Sequence, residues 1–277
     1  MKIDASQKAE MPDPALSDNQ TYCEDLKGTN MSNSKGNARK VALITGANKG
    51  IGFEITRQLG RAGMTVLLGA RNAKQGEASA AILRGEGIDV HTIPLDLLKE
   101  ETISAAAEGI ASQYGRLDVL VNNAGIVDGD DGPPSRADLD AVRRVFDVNF
   151  FGTLAVTKAL LPLIRKANAG RIVSLSSGLG SLTLNSDPTW VFASYKVLGY
   201  CASKAGVNMM TVQLAYELRD TAIKVNAVNP GFTATDMNGH QGTQTVQEGA
   251  AEAVRLALLP DDGPTGGFTE TGANNPW

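Results

Sequence analysis

The chain has 277 residues, 42% hydrophobic and 20% charged, enough for one large domain or two small ones with a sizeable core. A net charge of −4 excludes the clustered basic excess that a nucleic-acid partner or an anionic membrane would call for. Two cysteines, Cys23 and Cys201, cannot build a disulfide framework, so a reducing cytoplasm is the natural compartment. The two histidines, His91 and His240, lack ligand-like spacing with them, so no metal site is expected.

In chain order, residues 1–38 are polar and without periodicity, the composition of a disordered tail. They lack the continuous apolar segment of a secretion signal, and no run along the chain approaches the roughly 18 apolar residues of a membrane span. Residues 39–277 alternate apolar runs with amphipathic stretches and read as one domain. KVALIT (40–45) is nearly all apolar and predicts a strand buried on both faces. Ile51, Ile55 and Leu59 then recur at every fourth position, a helix stripe. Further strands are predicted at 65–70, 90–96, within 117–125 (running into a small-residue turn), 171–177 and 223–228. Helices are predicted at 73–84, 100–114, 138–166 (with Pro162 near its far end) and 199–219. The Pro/Gly-punctuated loop DGDDGPPS (128–135) predicts exposure. A last helix starts near Thr245, which has capping-box spacing with Glu248. The pattern predicts an α/β fold, a single Rossmann-like, doubly wound parallel sheet with helices on both faces.

The first strand and helix are joined by TGANKGIG (45–52), with glycines at 46, 50 and 52. Small residues there let the backbone turn tightly against a pyrophosphate, and the helix N-terminus adds N–H donors and a positive dipole end. Gly46, Asn48, Lys49, Gly50, Ile51 and Gly52 are therefore candidate cofactor contacts. An NAD site would place an acid near the end of the second strand. This strand ends LLGARN, with Arg71 and no acid before Glu77. Arg71 and Lys49 together suit a 2′-phosphate, so the expected cofactor is NADP(H).

Two tyrosines stand in ASYKVLGYCASK (193–204). Positions i and i+4 share a helix face and side chains lean toward the N-terminus, so Lys204 leans back to Tyr200. Lys196 leans away, and Tyr195 has Gly199 rather than a lysine at i+4. Tyr200 with Lys204 is the pair expected to move a proton, the lysine lowering the phenol's pKa. A third hydroxyl should hold a carbonyl oxygen. Strand C-termini carry function in open parallel sheets, which leaves Ser176 and Ser177 and disfavours Ser174. Asn149 interrupts the apolar run VFDVNFFGTLAV, where a buried amide needs partners.

Taken together, TGANKGIG, LDL (95–97), NNAG (122–125), SS (176–177), YCASK (200–204) and NPG (229–231) resemble the short-chain dehydrogenase/reductase family over about residues 40–277. PGFTATDM (230–237) and NFFGT (149–153) narrow the likeness to its NADPH-dependent carbonyl reductases. The resemblance implies Asp96 and Leu97 along the adenine, and Asn123, Ala124 and Gly125 along the adenosine. It implies Pro230, Gly231, Phe232 and Thr233 at the carboxamide, with Thr235 near a phosphate. Its register selects Ser177 over Ser176, and it gives Asn149 a proton-relay water. The interval from Ser177 to Tyr200 is longer than the family's usual one. Residues 178–199 are therefore expected as an inserted substrate loop, with Trp190, Phe192 and Tyr195 as pocket walls, and 232–247 as a lid. The expected activity is reduction of a small-molecule aldehyde or ketone. Alcohol oxidation and a non-catalytic NADPH sensor are the alternatives, and both monomer and homo-oligomer are compatible.

Overall fold

The computed structural model describes residues 39–277; the tail expected over 1–38, Cys23 included, lies outside the described residues. Eight strands form one sheet in the order β3-β2-β1-β4-β5-β6-β7-β8. These are β1 (Val41–Ile44), β2 (Thr65–Ala70), β3 (Val90–Pro94), β4 (Val119–Asn122), β5 (Arg171–Leu175), β6 (Lys224–Val228), β7 (Phe268–Glu270) and β8 (Ala273–Asn274). All pairings are parallel except β7 with β8.

The helices are α1 (Gly50–Arg61), α2 (Ala73–Gly85), α3 (Glu100–Tyr114), α4 (Leu139–Phe146), α5 (Thr153–Ile164), α6 (Leu182–Ser186), α7 (Leu198–Glu217) and α8 (Val246–Ala257). Strand alternation sorts the core into two layers. Ala42 and Ile44 of β1 face Ile55 and Leu59 of α1, Leu83 of α2 and Leu256 of α8. Val41 and Leu43 face the other way, toward Ile110 of α3, Leu160 of α5 and Leu214 of α7. The doubly wound parallel sheet is thus the architecture found, with an antiparallel edge strand added.

The order reverses between β1 and β4, so the chain leaves their carboxyl ends in opposite directions and opens a crevice there. The predicted helix 138–166 is a continuous rod interrupted by a π turn over Asp147–Gly152. By length and mean hydropathy (1.3) this helix, Leu139–Ile164, is long and apolar enough to span a membrane. Here Val156, Leu160, Leu163 and Ile164 join the core beneath the sheet. β7 and β8 were not predicted. They have three and two residues, too few to show a period, and the turn between them uses Gly272 at φ 81°.

Candidate active site

A cleft of about 860 Å³ lies over the carboxyl ends of the strands. It is lined by the glycine loop residues Gly46, Asn48, Lys49, Gly50, Ile51 and Gly52, by Arg71 after β2, and by Asp96 and Leu97 after β3. Asn123, Ala124 and Gly125 after β4 line it too, with Tyr200, Lys204, Pro230 and Thr235. Sixteen of the residues singled out in the sequence therefore meet in one place.

Gly46 and Gly52 are required by close approach. Gly46 has φ 63°, and a Cβ on it would stand 2.9 Å from the Ala124 Cα. One on Gly52 would fall 2.3 Å from Asn123 Nδ2 and 2.8 Å from the Gly46 carbonyl. Asn123 in turn donates from Nδ2 to the carbonyls of Thr45 (2.8 Å) and Gly46 (3.1 Å), locking the loop after β1 to the loop after β4. Lys49, the N-cap of α1, makes no side-chain cap bond, and the first turn holds no acid. The amides at this helix start are free to meet an anion, so these residues fit a dinucleotide pyrophosphate.

Arg71 is exposed beside the cleft. Glu77, the nearest acid along the chain, is engaged elsewhere, with Arg84 at 2.7 Å and Thr92 at 3.1 Å. Lys49 is more committed than expected, because its Nζ bonds Asp236 at 2.6 Å across the cleft mouth. That carboxylate also meets His240, at 2.9 Å. Lys49 and His240 together hold the Asp236 carboxyl below its usual range, the lysine hydrogen bond being the largest cause.

At the inner end, Lys204 is 5% exposed and donates from Nζ to the Leu175 carbonyl at 2.7 Å. The ammonium lies 5.6 Å from the centre of the Tyr200 ring. Lys196, the rival lysine, reaches instead to Asn185 of α6 at 3.3 Å. The Ser177 hydroxyl stands on the side of the Tyr200 phenol where it favours the ionised form. Ser176 is buried, and its hydroxyl points to the Lys204 carbonyl at 3.4 Å.

One expectation is corrected. Lysine was expected to lower the phenol, whereas burial pushes Tyr200 up to about 12. The Ser177 hydrogen bond opposes that rise, and Cys201 and Tyr195 add to it. Burial also draws the Lys204 amine down to about 8. The physical reason is that desolvation disfavours both charged forms, the phenolate and the ammonium.

Asn149 sits in the π turn, 1% exposed and fully partnered. Its Oδ1 accepts from the Ile126 amide (2.8 Å), and its Nδ2 donates to the Ile126 carbonyl (3.0 Å) and Ser203 Oγ (3.1 Å). A Cβ on Gly125 would stand 3.3 Å from Asn149 Oδ1 and 3.4 Å from Lys204 Nζ, so the missing side chain is what lets these groups converge.

Residues 178–197 contain a short 3₁₀ turn and α6, more ordered than the irregular stretch expected. Trp190 packs edge-on against Phe192 (5.4 Å), and Phe192 against Phe232 (5.5 Å). A Cβ on Gly178 would lie 3.3 Å from Trp190, so this aromatic row starts next to Ser177. Tyr195 is 52% exposed. Gly231 (φ 70°) and Thr233 flank the row without lining the nucleotide cleft. Thr233 is pinned by its hydroxyl donating to the Pro230 carbonyl (2.9 Å). Segment 232–247 folds back on itself through Ala234 N–H to the Gln244 carbonyl (2.8 Å) and Gln244 N–H to the Phe232 carbonyl (3.0 Å). Sequence reasoning missed Arg144 and Asp147 in the cleft wall. It also missed Asp131, whose carboxylate receives the Gly199 and Tyr200 amides. No local signal led to it: the helix was expected from 199, and only the fold shows Val197 as an N-cap with no side-chain acceptor.

A family model described as short chain dehydrogenase matches residues 40–245. The chain is 36% identical over 279 aligned positions to carbonyl reductase (NADPH) 1 of Mus musculus, covering 87% of this chain and 99% of that one. It is similar to the structure of salutaridine reductase from Papaver somniferum, with TM-score 0.71, 30% identity, and coverage of 83% and 99%. A short chain dehydrogenase of Escherichia coli CFT073 complexed with NADPH gives TM-score 0.74 and 31% identity, with coverage of 84% and 97%.

Proposed function

This chain belongs to the short chain dehydrogenase family of oxidoreductases, close to the carbonyl reductases, and on that premise we propose that it reduces an aldehyde or ketone to an alcohol with NADPH. The observation that carries the reading is the arrangement of Ser177, Tyr200 and Lys204 at the inner end of the cleft. NADPH, when bound, supplies the hydride. Ser177 orients the carbonyl oxygen, and Tyr200 gives that oxygen its proton. With its phenol pushed up to about 12, Tyr200 is fully protonated at neutral pH, as a donor must be. Lys204 as ammonium stands beside the ring to favour the phenolate left behind, and it reaches the ribose. Asn149 steadies the backbone at Ile126 beside this group and is assigned to the proton relay.

The glycine loop receives the pyrophosphate, and Asp96, Leu97, Asn123, Ala124 and Gly125 the adenosine. Pro230, Gly231, Phe232 and Thr233 receive the carboxamide, and Thr235 a phosphate. Arg71 takes the 2′-phosphate, with Lys49 available once it leaves Asp236; the cofactor of the Escherichia coli relative supports this preference. Trp190, Phe192 and Tyr195 are assigned to the substrate side. Residues 178–199 form its wall and 232–247 its lid.

The test is NADPH consumption against a panel of carbonyl compounds for the native chain and Tyr200→Phe. Turnover by the native chain and a loss of roughly 10²- to 10⁴-fold in the variant are expected, the usual worth of general acid catalysis. If both proteins bind NADPH and neither consumes it, a sensor replaces the reductase.

A further inference from the structure

Helix α7, which carries Tyr200 and Lys204, begins without a cap of its own. Its N-cap residue Val197 offers no side-chain acceptor. The amides of Leu198, Gly199 and Tyr200 precede the first helical hydrogen bond, from Cys201 to the Val197 carbonyl at 3.0 Å. All three are met by one distant loop. Leu198 donates to the Gly132 carbonyl at 2.9 Å. Gly199 donates to Asp131 Oδ1 at 2.9 Å, and Tyr200 to Asp131 Oδ2 at 2.9 Å, across 68 and 69 residues of sequence.

The carboxylate is itself held, since the Gly132 amide donates to Oδ1 at 2.8 Å. The loop is anchored on α4 by Asp128, which pairs with Arg144 at 2.8 Å. Gly199 makes the approach possible: a Cβ there would stand 3.1 Å from Asp131 Oδ2 and 3.1 Å from the Val142 Cα. A fixed negative charge at a helix N-terminus is also favoured by the helix dipole. The half-buried Asp131 therefore departs from the exposure expected of DGDDGPPS.

We propose that Asp131 is the positioning residue for Tyr200. It touches neither substrate nor cofactor. Its two oxygens fix the first turn of α7, including the backbone amide of Tyr200, and so set the phenol against the carbonyl to be protonated. The inference rests on the reading of Tyr200 as the acid.

The experiment compares the full chain with Asp131→Ala, Asp131→Asn, Tyr200→Phe and the double variant Asp131→Ala/Tyr200→Phe. Single-turnover NADPH oxidation is measured with the best carbonyl of the panel, and NADPH affinity by fluorescence. Asp131→Ala should lose about 10- to 100-fold in the chemical step, as small misplacements of a reacting group do. Its NADPH affinity should stay within about twofold of native, because only an interaction of the transition state is removed. Asp131→Asn keeps an acceptor oxygen and should recover part of the rate. The double variant should be no slower than Tyr200→Phe alone, since groups that act as a unit are not additive.

Native turnover by Asp131→Ala with an inactive Tyr200→Phe overturns the positioning role and leaves the acid assignment standing. A further loss in the double variant also overturns it. Native turnover by Tyr200→Phe overturns the acid assignment, and with it this inference. If Asp131→Ala does not fold, Gly199→Ala presses on the same contact from the helix side and should reproduce the kinetic loss.

Discussion

At the nucleotide end of the cleft, Gly46 and Gly52 sit where a single added methyl group would strike backbone or a locked amide, and the neighbouring strands are wholly buried. At the opposite end, Leu182 and Val191 are 73% and 80% exposed, and the wall is a row of aromatic edges held by one another. The first region is specified by backbone sterics, with little tolerance at any position. The second is specified by packing of large side chains over a loop, which can be exchanged for other packing. One end of the molecule fixes a constant ligand; the other is free to vary its choice.

The sharpest way to break this contrast is Gly52→Val. Overpacking against Asn123 and Gly46 should cost about 1–3 kcal/mol of stability and, by moving the loop, at least about 100-fold in NADPH affinity by titration. A variant that bound NADPH normally would show that the glycine loop tolerates what its geometry forbids. Arg71→Asp comes next. Losing a charged hydrogen bond to a 2′-phosphate should weaken NADPH by roughly 10- to 100-fold and NADH by less than about threefold. Equal losses for the two cofactors would remove Arg71 from the phosphate site.

Acidity is a third probe, placed at the junction of the two regions. Lys204, drawn down to about 8, is an ammonium below that pH and neutral above it. Tyr200 keeps its proton up to about 12 and does not limit the donor. Reductive kcat/KM, which reports the free enzyme, should therefore be level below pH 8 and fall by up to about tenfold per unit above it. A level profile to pH 10 would exclude Lys204 from the chemical step. The smallest effect belongs to Trp190→Ala. Removing one edge-to-face aromatic contact is worth about 0.5–1.5 kcal/mol, so KM for an apolar carbonyl should rise about two- to tenfold at unchanged NADPH affinity. An equal loss of NADPH affinity would mean the aromatic row serves the cofactor instead.

What could be read in the sequence follows the same division. β1, β2 and α1 are legible because a buried strand is an unbroken apolar run and α1 repeats at every fourth residue; the glycine loop is legible because a backbone constraint leaves a fixed residue type. The fourth strand was expected to run into a small-residue turn within 117–125, and it stops at Asn122, where Asn123 turns to bind the Thr45 and Gly46 carbonyls. The π turn at Asp147–Gly152 leaves no compositional trace, since the same apolar residues would suit an unbroken helix. Asp131 was invisible as a cap, because its partners Gly199 and Tyr200 are remote in the chain and no local pattern connects them. Lys49 looked free for a phosphate for the same reason, its partner Asp236 being 187 residues away.

Lys204 holds the carbonyl of Leu175, the last residue of β5, a strand paired on one side with β4 and on the other with β6. Central strands open only at close to the full cost of unfolding, whereas exposed loops open locally at little cost. Amides of β5 should accordingly be among the last to exchange with solvent deuterium, and those of 182–197 among the earliest. The side of the molecule proposed to admit and release a carbonyl compound can thus breathe many times while the lysine beneath it stays where the sheet has put it.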